Sequence, residues 1–284
     1  MAFTVPLFTR CDLFIRYYKM YTTHIDNFDL RQIAESGQCF RMTMQDEKTA
    51  RVIAGERLLY VTDKGGGDFE FSCEKDEFDT VWYDYFDLES DYAAYIDSID
   101  KEDQFLKSAA AYGQGIRILR QEPFETLISF IISQRKNIPA IQSSVEKLCR
   151  CCGKKTDDGI YSFPEPETIA GLSEDTLCAC SLGYRIPYVR ETAKRVATGE
   201  IDLEALKDCD DAELFDELIT LHGVGKKVAN CVMLFSYHRI ASFPVDVWIQ
   251  RVEETYYNGH FPVEKYPGYA GIMQQYMFFY SRSR

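Results

Sequence analysis

The sequence predicts an α+β fold in which an N-terminal antiparallel β-sheet domain precedes an all-α body. Short runs of alternating or β-branched residues, "RVIAG", "RLLYVTD" and "DFEFSC", fall within residues 48–73, and "GGG" at 65–67 separates the last two. From about residue 105, apolar residues recur three and four positions apart, which is the spacing of helices. Strands followed by a long run of helices indicate an α+β protein.

Several segments carry the start signals of helices. Pro123 predicts a helix at 122–134, because proline is favoured in the first helical turn. Acidic residues open the helix-compatible segment 86–96, and a Ser–x–x–Thr pattern opens 173–180. Further helices are predicted at 138–152, 186–200 and 210–221.

The predicted boundaries divide the chain into three parts. Met20 directly precedes "YTTHIDNFDL", which has the character of a domain start, so residues 1–19 are predicted to be an extension of unknown role. The sheet domain is predicted to cover 20–104 and the helical region 105–284. The start lacks a secretory layout, and no stretch approaches the roughly 18 apolar residues of a membrane span.

The net charge of −13 is unevenly distributed. Residues 21–104 carry −13, whereas residues 105–284 carry only −2 and contain the basic pairs Arg135–Lys136 and Lys226–Lys227. Acidic bulk weakens non-specific binding to DNA, but it leaves room for a local phosphate site.

Ten cysteines without an export signal indicate a reducing compartment rather than a disulfide framework. The groups "CRCC" at 149–152 and "CAC" at 178–180 lack the paired spacing of zinc sites, and no histidine lies near them in the sequence. No metal site is predicted.

The segment "LHGVGKKVANC", residues 221–231, predicts a tight turn between two helices. Gly223 and Gly225 permit positive φ and close backbone approach, and the following helix start presents free amides, so the turn can seat a phosphate. The alternative is a plain glycine-capped connection.

Downstream, "FPVDVWIQR" places Asp246 before another helix. The carboxylate can cap that helix, face the lysines of the preceding turn, or do both. A lysine becomes a nucleophile only when its neutral form is populated, and Lys226 beside Lys227 at a positive helix end favours that form.

Together these two segments resemble the helix-hairpin-helix, Gly/Pro-Asp superfamily of DNA glycosylases. The resemblance implies that Lys227 attacks the sugar and that Asp246 is the carboxylate of the family's Pro–Val–Asp segment. It also implies that the hairpin contacts DNA phosphates. A further phosphate contact is implied at the position where eukaryotic relatives usually carry histidine, which is tryptophan in this chain. These phosphate-contacting residues are Gly223, Val224, Gly225, Lys226 and Trp248.

Two further segments resemble the 8-oxoguanine branch of that superfamily. "SGQCFR" at 36–41 implies that the Gly37 carbonyl accepts the N7–H of the oxidised base. "YAGIMQQYMFFYS" at 269–281 implies that Gln274 reads the Watson–Crick edge and that Phe278 stacks on the base opposite Cys231. The alternatives are an ordinary turn glycine and plain core aromatics.

Opposite-strand recognition is implied by "SFIISQRKNIPAI" (129–141), which resembles the segment that fills the vacated duplex position. The family pattern has three asparagines where this chain has Arg135, Lys136 and Asn137, so either Arg135 or Lys136 fills the gap. The family's second cytosine-reading arginine falls at Ala140, which predicts weak discrimination for cytosine.

"LGYRIPYV" (182–189) matches the family's wedge. The resemblance implies that Tyr184 inserts beside the opposite base and that Arg185 hydrogen-bonds the orphaned cytosine. A core aromatic is the alternative for Tyr184.

The resemblance implies a bifunctional glycosylase and AP lyase that excises 8-oxoguanine from double-stranded DNA. No cofactor is expected beyond a cation bridging the hairpin and a phosphate, and the chain is expected to be monomeric, cytoplasmic if bacterial and nuclear if eukaryotic. One alternative is a glycosylase for other damaged purines, which usually lacks the hairpin lysine. The other is a non-catalytic DNA-binding module, which has no reason to combine Lys227, Asp246 and the pocket pair Gln274 and Phe278.

Overall fold

A five-stranded antiparallel sheet forms the N-terminal part of the computed structural model, which describes residues 19–283. The three sequence segments that predict strands are confirmed, while two short strands, one at each edge, were not predicted. The spatial order is β1-β5-β4-β3-β2. The strands are β1 (Tyr21–His24), β2 (Met42–Met44), β3 (Thr49–Ala54), β4 (Arg57–Gly65) and β5 (Asp68–Phe71).

The rest of the described chain is mainly helical, which confirms the predicted α+β fold. A π-helical turn, Phe78–Trp82, separates the second and third helices. The helices are α1 (Leu30–Glu35), α2 (Lys75–Glu77), α3 (Tyr83–Tyr85), α4 (Tyr92–Asp97), α5 (Gln104–Tyr112), α6 (Pro123–Ser133), α7 (Ile138–Cys152), α8 (Pro166–Ala170), α9 (Glu174–Ala179), α10 (Ile186–Ala197), α11 (Asp211–Ile219), α12 (Lys226–Phe235), α13 (Val247–Tyr256) and α14 (Ala270–Arg282).

The helix starts follow the capping residues that the sequence displays. Glu122 accepts backbone hydrogen bonds in front of Pro123, and the Ser173 hydroxyl accepts from the Thr176 amide at 3.2 Å. Helix α7 spans the predicted residues, whereas α10 ends at Ala197, three residues before its predicted end. The predicted extension, residues 1–19, lies outside the described residues except for Lys19.

The described residues form two large apolar cores, and each core includes a residue from the other part of the chain. Trp82, Phe71 and Phe86 fill the core beneath the sheet, and Leu119, from far along the chain, joins them. In return, Phe40 packs in the helical core. Helix α14 is buried along most of its length, so the C-terminal helix is a central element of the body.

A buried carboxylate ties the sheet part to the end of α12. The Asp87 side chain is fully buried, and its Oδ2 lies 3.2 Å from His238 Nε2 and accepts the Tyr92 hydroxyl at 2.9 Å. Its Oδ1 accepts from the Arg120 guanidinium at 3.1 Å. Burial alone raises the pKa of Asp87, but the interactions with His238, Tyr92 and Ser90 outweigh it, so the pKa lies below its ordinary value.

We expect Asp87→Asn to lower the free energy of unfolding by about 3 kcal/mol at pH 7, because it removes one partner of a buried charge network. A carboxyl whose pKa is depressed by folding stabilises the native state above its unfolded pKa, and this contribution disappears as the pH falls through the folded pKa. The difference between wild type and variant therefore shrinks below about pH 4. Urea unfolding at pH 7 and in acid measures both effects.

Asp84→Asn is the matched control, because Asp84 faces the Nε of the same Arg120 at 3.3 Å but its side chain is 71% exposed. A surface pair of this kind contributes less than about 1 kcal/mol. Equal losses for the two variants, or a difference that persists in acid, would contradict the assigned role of Asp87.

Candidate active site

A small cavity of about 50 Å³ lies where the loop after α1 meets the helical body. Helices α6, α12 and α14 and the segment before α13 supply the other walls. Six of the predicted site residues line it together, so residues from widely separated motifs converge at one place. The lining residues are Ser36, Gly37, Phe130, Lys227, Cys231, Phe235, Pro244, Asp246, Gln274, Gln275 and Phe278.

The hairpin sets the direction of the two lysines. Gly223 has φ +85°, and a Cβ there would lie 2.6 Å from the Tyr188 ring, so only glycine allows this turn. Helix α12 then starts at Lys226, which is exposed, whereas Lys227 is half-buried and lines the cavity. The Lys227 Nζ lies 4.9 Å from the centroid of the Phe130 ring.

The Lys227 amine also adjoins the thiol of Cys231, one helical turn further along α12. Burial raises the pKa of the Cys231 thiol, and the neighbouring Lys227 partly opposes this rise. The raised pKa favours the neutral form of the thiol beside the amine.

Asp246 performs the capping role that the sequence predicts. Its Oδ1 accepts the backbone N–H groups of Trp248 at 2.9 Å and Ile249 at 3.0 Å. The same side chain lines the cavity opposite Lys227. In the described part of the chain the two form no ion pair within 4 Å, although both line the same cavity.

The far end of the cavity contains the predicted base-recognition residues. Gln274 is buried; its Nε2 donates to the Pro244 carbonyl at 3.0 Å, and its Oε1 has no hydrogen-bond partner. Phe278 packs against Gly37 so closely that a Cβ on Gly37 would lie 3.2 Å from the ring. A buried carbonyl oxygen without a partner is costly unless a ligand satisfies it.

Comparison with known proteins agrees with this geometry. The family model described as "8-oxoguanine DNA glycosylase, N-terminal domain" matches residues 20–127, and the model described as "HhH-GPD superfamily base excision DNA repair protein" matches residues 128–261. The chain belongs to the 8-oxoguanine DNA glycosylase family. This confirms the family, the fold class and the activity class, glycosylase and lyase, that the sequence predicts.

Individual relatives cover most of the chain. A probable N-glycosylase/DNA lyase of Methanothermobacter thermautotrophicus is 30% identical over 64% of this chain and 68% of its own length. The 8-oxoguanine glycosylase/lyase of Clostridium acetobutylicum in its apo form is 36% identical, with a TM-score of 0.86 over 93% of this chain and 97% of the other. That enzyme in complex with double-stranded DNA containing cytosine opposite 8-oxoguanine superposes with a TM-score of 0.86, at 35% identity over 93% and 98% of the two chains.

The family's wedge position is strongly exposed in this chain. Tyr184 is 51% exposed, and the Arg185 guanidinium carbon lies 4.3 Å from its ring centroid. Arg185 itself is buried and donates to the carbonyls of Gln134 and Leu182. Tyr184 therefore faces solvent rather than the core, while cytosine recognition by Arg185 stays a prediction.

The loop between α6 and α7, which is predicted to fill the vacated duplex position, places its three predicted contact residues in different environments. Arg135 is exposed and has φ +53°. Lys136 donates to the Ser144 hydroxyl at 2.6 Å and to the Ser181 carbonyl at 2.7 Å. Asn137 caps α7 by accepting from the backbone N–H of Ala140 at 3.0 Å.

Trp248 lies outside the lesion cavity. It lines a separate hollow of about 210 Å³ with Phe105, Arg251 and Tyr256, and its ring lies 5.3 Å from the Arg251 guanidinium. Its contact with a phosphate, like those of the hairpin residues Gly223, Val224, Gly225 and Lys226, stays a prediction.

The sequence motifs did not identify several of the residues that line the cavity. Gln275 donates to the Ser36 carbonyl at 2.6 Å and joins α14 to the motif around Gly37. Its position beside Gln274 in "MQQY" is a signal that could have identified it. Phe130 and Phe235, stacked 5.5 Å apart, lie in apolar helical runs that give no such signal.

Between residues 19 and 283, no three His, Cys, Asp or Glu side chains are grouped so as to hold a metal ion. None of the helices in this part of the chain is both long and apolar enough to cross a bilayer.

Proposed function

We propose that this chain excises 8-oxoguanine from double-stranded DNA and then cleaves the resulting abasic strand. The observation that carries the proposal is the convergence of the Lys227 amine, the Asp246 carboxylate and the unpartnered Gln274 oxygen on one cavity. A nucleophile, a charge stabiliser and a base-edge acceptor are the parts that base excision requires. The relatives named as 8-oxoguanine glycosylase/lyases support the same substrate.

The lesion must leave the duplex to reach Lys227, because its sugar is inaccessible within the stacked helix. A cavity of about 50 Å³ holds only a few water molecules, so it has to widen to accept a purine. Phe278 is the side chain whose movement opens the space, since it is only partly buried and packs directly on Gly37. After that movement its ring lies against the base, with Cys231 on the other side.

In this mechanism the neutral Lys227 amine attacks C1′ of the deoxyribose as the glycosidic bond breaks and the base departs. The Asp246 carboxylate stabilises the positive charge that develops on the sugar. The C1′–O4′ bond then breaks as the nitrogen lone pair forms the C=N bond, and O4′ takes up a proton to become a hydroxyl, which leaves a protonated Schiff base between Lys227 and C1′. Removal of a C2′ proton then expels the 3′ phosphate by β-elimination, so no redox cofactor takes part.

The DNA strands are proposed to lie across the exposed ends of the hairpin and the wedge. The hairpin amides and Lys226 bind phosphate, and a cation bridging the hairpin and a phosphate belongs to this proposal. Arg135 fills the vacated position, because the Lys136 ammonium is already bonded to Ser144 and Ser181. The protein is proposed to act as a monomer and wherever the cell keeps its DNA.

Borohydride trapping on duplexes carrying 8-oxoguanine opposite each of the four bases tests this function. The wild-type protein is expected to form a covalent adduct on these duplexes and none on an undamaged duplex. Adduct formation or base release only on duplexes that carry alkylated purines would instead favour a glycosylase for other damaged purines. Binding to every duplex without release would favour the non-catalytic module.

Rates opposite the four bases are expected to agree within about tenfold, because Ala140 cannot donate hydrogen bonds to cytosine. Ala140→Arg restores a donor in the first turn of α7 and is expected to raise the preference for cytosine about 10-fold or more, since a good base contact contributes roughly 1–3 kcal/mol. Single-turnover excision measures both. A strong cytosine preference in the wild type contradicts the role given to Ala140.

A further inference from the structure

In the proposed function, three separate segments face the DNA: the gap loop (134–137), the wedge loop (181–185) and the hairpin turn (221–225). Each segment joins a different pair of helices. The distances between the three segments determine whether one DNA duplex can contact all of them. Gln134, which the sequence motifs did not single out, forms polar contacts with both of the other segments.

The gap loop and the wedge loop hold each other by reciprocal cationic hydrogen bonds. Arg185 of the wedge loop donates through Nε to the Gln134 carbonyl at 2.9 Å. In return, Lys136 of the gap loop donates to the Ser181 carbonyl at 2.7 Å. Charged donors make stronger hydrogen bonds than neutral ones, so the two loops are joined firmly.

The side chain of Gln134 extends this connection to the hairpin. Its Nε2 donates to the Gly223 carbonyl at 2.9 Å and, more weakly, to the Ile131 carbonyl at 3.2 Å. Gly223 is the residue whose positive φ defines the turn ahead of Lys226 and Lys227. The backbone and side chain of Gln134 thus link the wedge to the phosphate-binding turn.

We infer that Gln134 is a positioning residue that couples Tyr184 to the hairpin, so that the opposite-strand wedge and the lesion-strand phosphate seat are held at one separation. The inference rests on the proposed function. Gln134 does not touch the reacting atoms; it acts through Gly223 on one side and Arg185 on the other. The Gln134 amide therefore contributes to the affinity for distorted DNA and not to the rate of bond breaking.

Gln134→Met tests this, because methionine has nearly the same length but cannot donate to Gly223. The dissociation constant for a duplex with a tetrahydrofuran abasic analogue is expected to rise about 10-fold, since the loss of one hydrogen bond to a partly buried carbonyl has that order of effect. The excision rate at saturating enzyme is expected to change less than threefold. Loss of both affinity and saturated rate in proportion to a lower melting temperature would indicate a merely structural role and overturn the inference.

Gln45→Met is the matched control, because the Gln45 amide also bonds a backbone carbonyl, that of Thr43, but on an exposed β-turn. Its affinity for the tetrahydrofuran duplex is expected to stay within twofold of wild type.

A double-mutant cycle with Tyr184→Ala measures the coupling itself. Tyr184→Ala is expected to weaken tetrahydrofuran binding about 10-fold in the wild-type background and about threefold in Gln134→Met, because the wedge has then already lost its link to the hairpin. Equal effects in both backgrounds overturn the inference. If the wild type forms no adduct on 8-oxoguanine duplexes, the proposed function fails, and the tetrahydrofuran affinities alone still decide the coupling.

Discussion

Lys227→Gln is expected to abolish borohydride-trappable adduct and to lower the rate of 8-oxoguanine release on the order of 10⁴-fold or more, because it removes the attacking amine. Glutamine is close to lysine in length, and the position is half-buried at the start of α12. The fold and the phosphate contacts are therefore expected to survive. Gel-resolved trapping and single-turnover release on the same duplex measure the two losses.

Lys226→Gln is the control for this experiment, since the two lysines are adjacent but only Lys227 lines the cavity. The Lys226 variant is expected to keep full trapping at saturation and to bind DNA more weakly, with a smaller dependence on salt. Loss of the adduct in Lys226→Gln together with retention in Lys227→Gln would reverse the assignment of the nucleophile.

Asp246→Asn is expected to lower the saturated excision rate about 10²–10³-fold, the usual cost of losing one group that stabilises developing charge. Asparagine is as good a helix N-cap as aspartate, so the bonds from Trp248 and Ile249 can be retained. The melting temperature is therefore expected to change little. Single-turnover kinetics and thermal unfolding separate the chemical role from the structural one.

Asp246→Ala adds the loss of the cap to the loss of the charge. Its free energy of unfolding is expected to fall by about 1 kcal/mol relative to Asp246→Asn, with a similar loss of rate. If Asp246→Asn retains the wild-type excision rate, Asp246 acts only as a helix cap.

Features that are local in the sequence were predictable. The hairpin, the cap at Asp246 and helix α7 each depend on residues within one or two turns of chain, and local capping and turn rules describe them well. Even the separation of Lys226 from Lys227 follows from helical geometry, because adjacent residues on a helix point in different directions.

Features that depend on distant backbone atoms were not predictable. Gln134 donates to a carbonyl 89 positions away, and Asp87 and His238 meet from opposite parts of the chain. A backbone carbonyl is present at every residue and leaves no mark in the sequence, so its distant partner cannot be identified by pattern. The edge strand β1 was missed for a similar reason, because its four residues are defined by pairing with β5.

The hydrogen bond from Gln275 to the Ser36 carbonyl joins residues 239 positions apart. The loop after α1 and the last helix, α14, thus both contribute lining residues to the cavity that contains Lys227. A partly folded or truncated molecule that still exposes the Lys227 amine lacks the complete cavity that would hold a purine. Strand cleavage is therefore expected only after the loop that follows α1 has docked on α14.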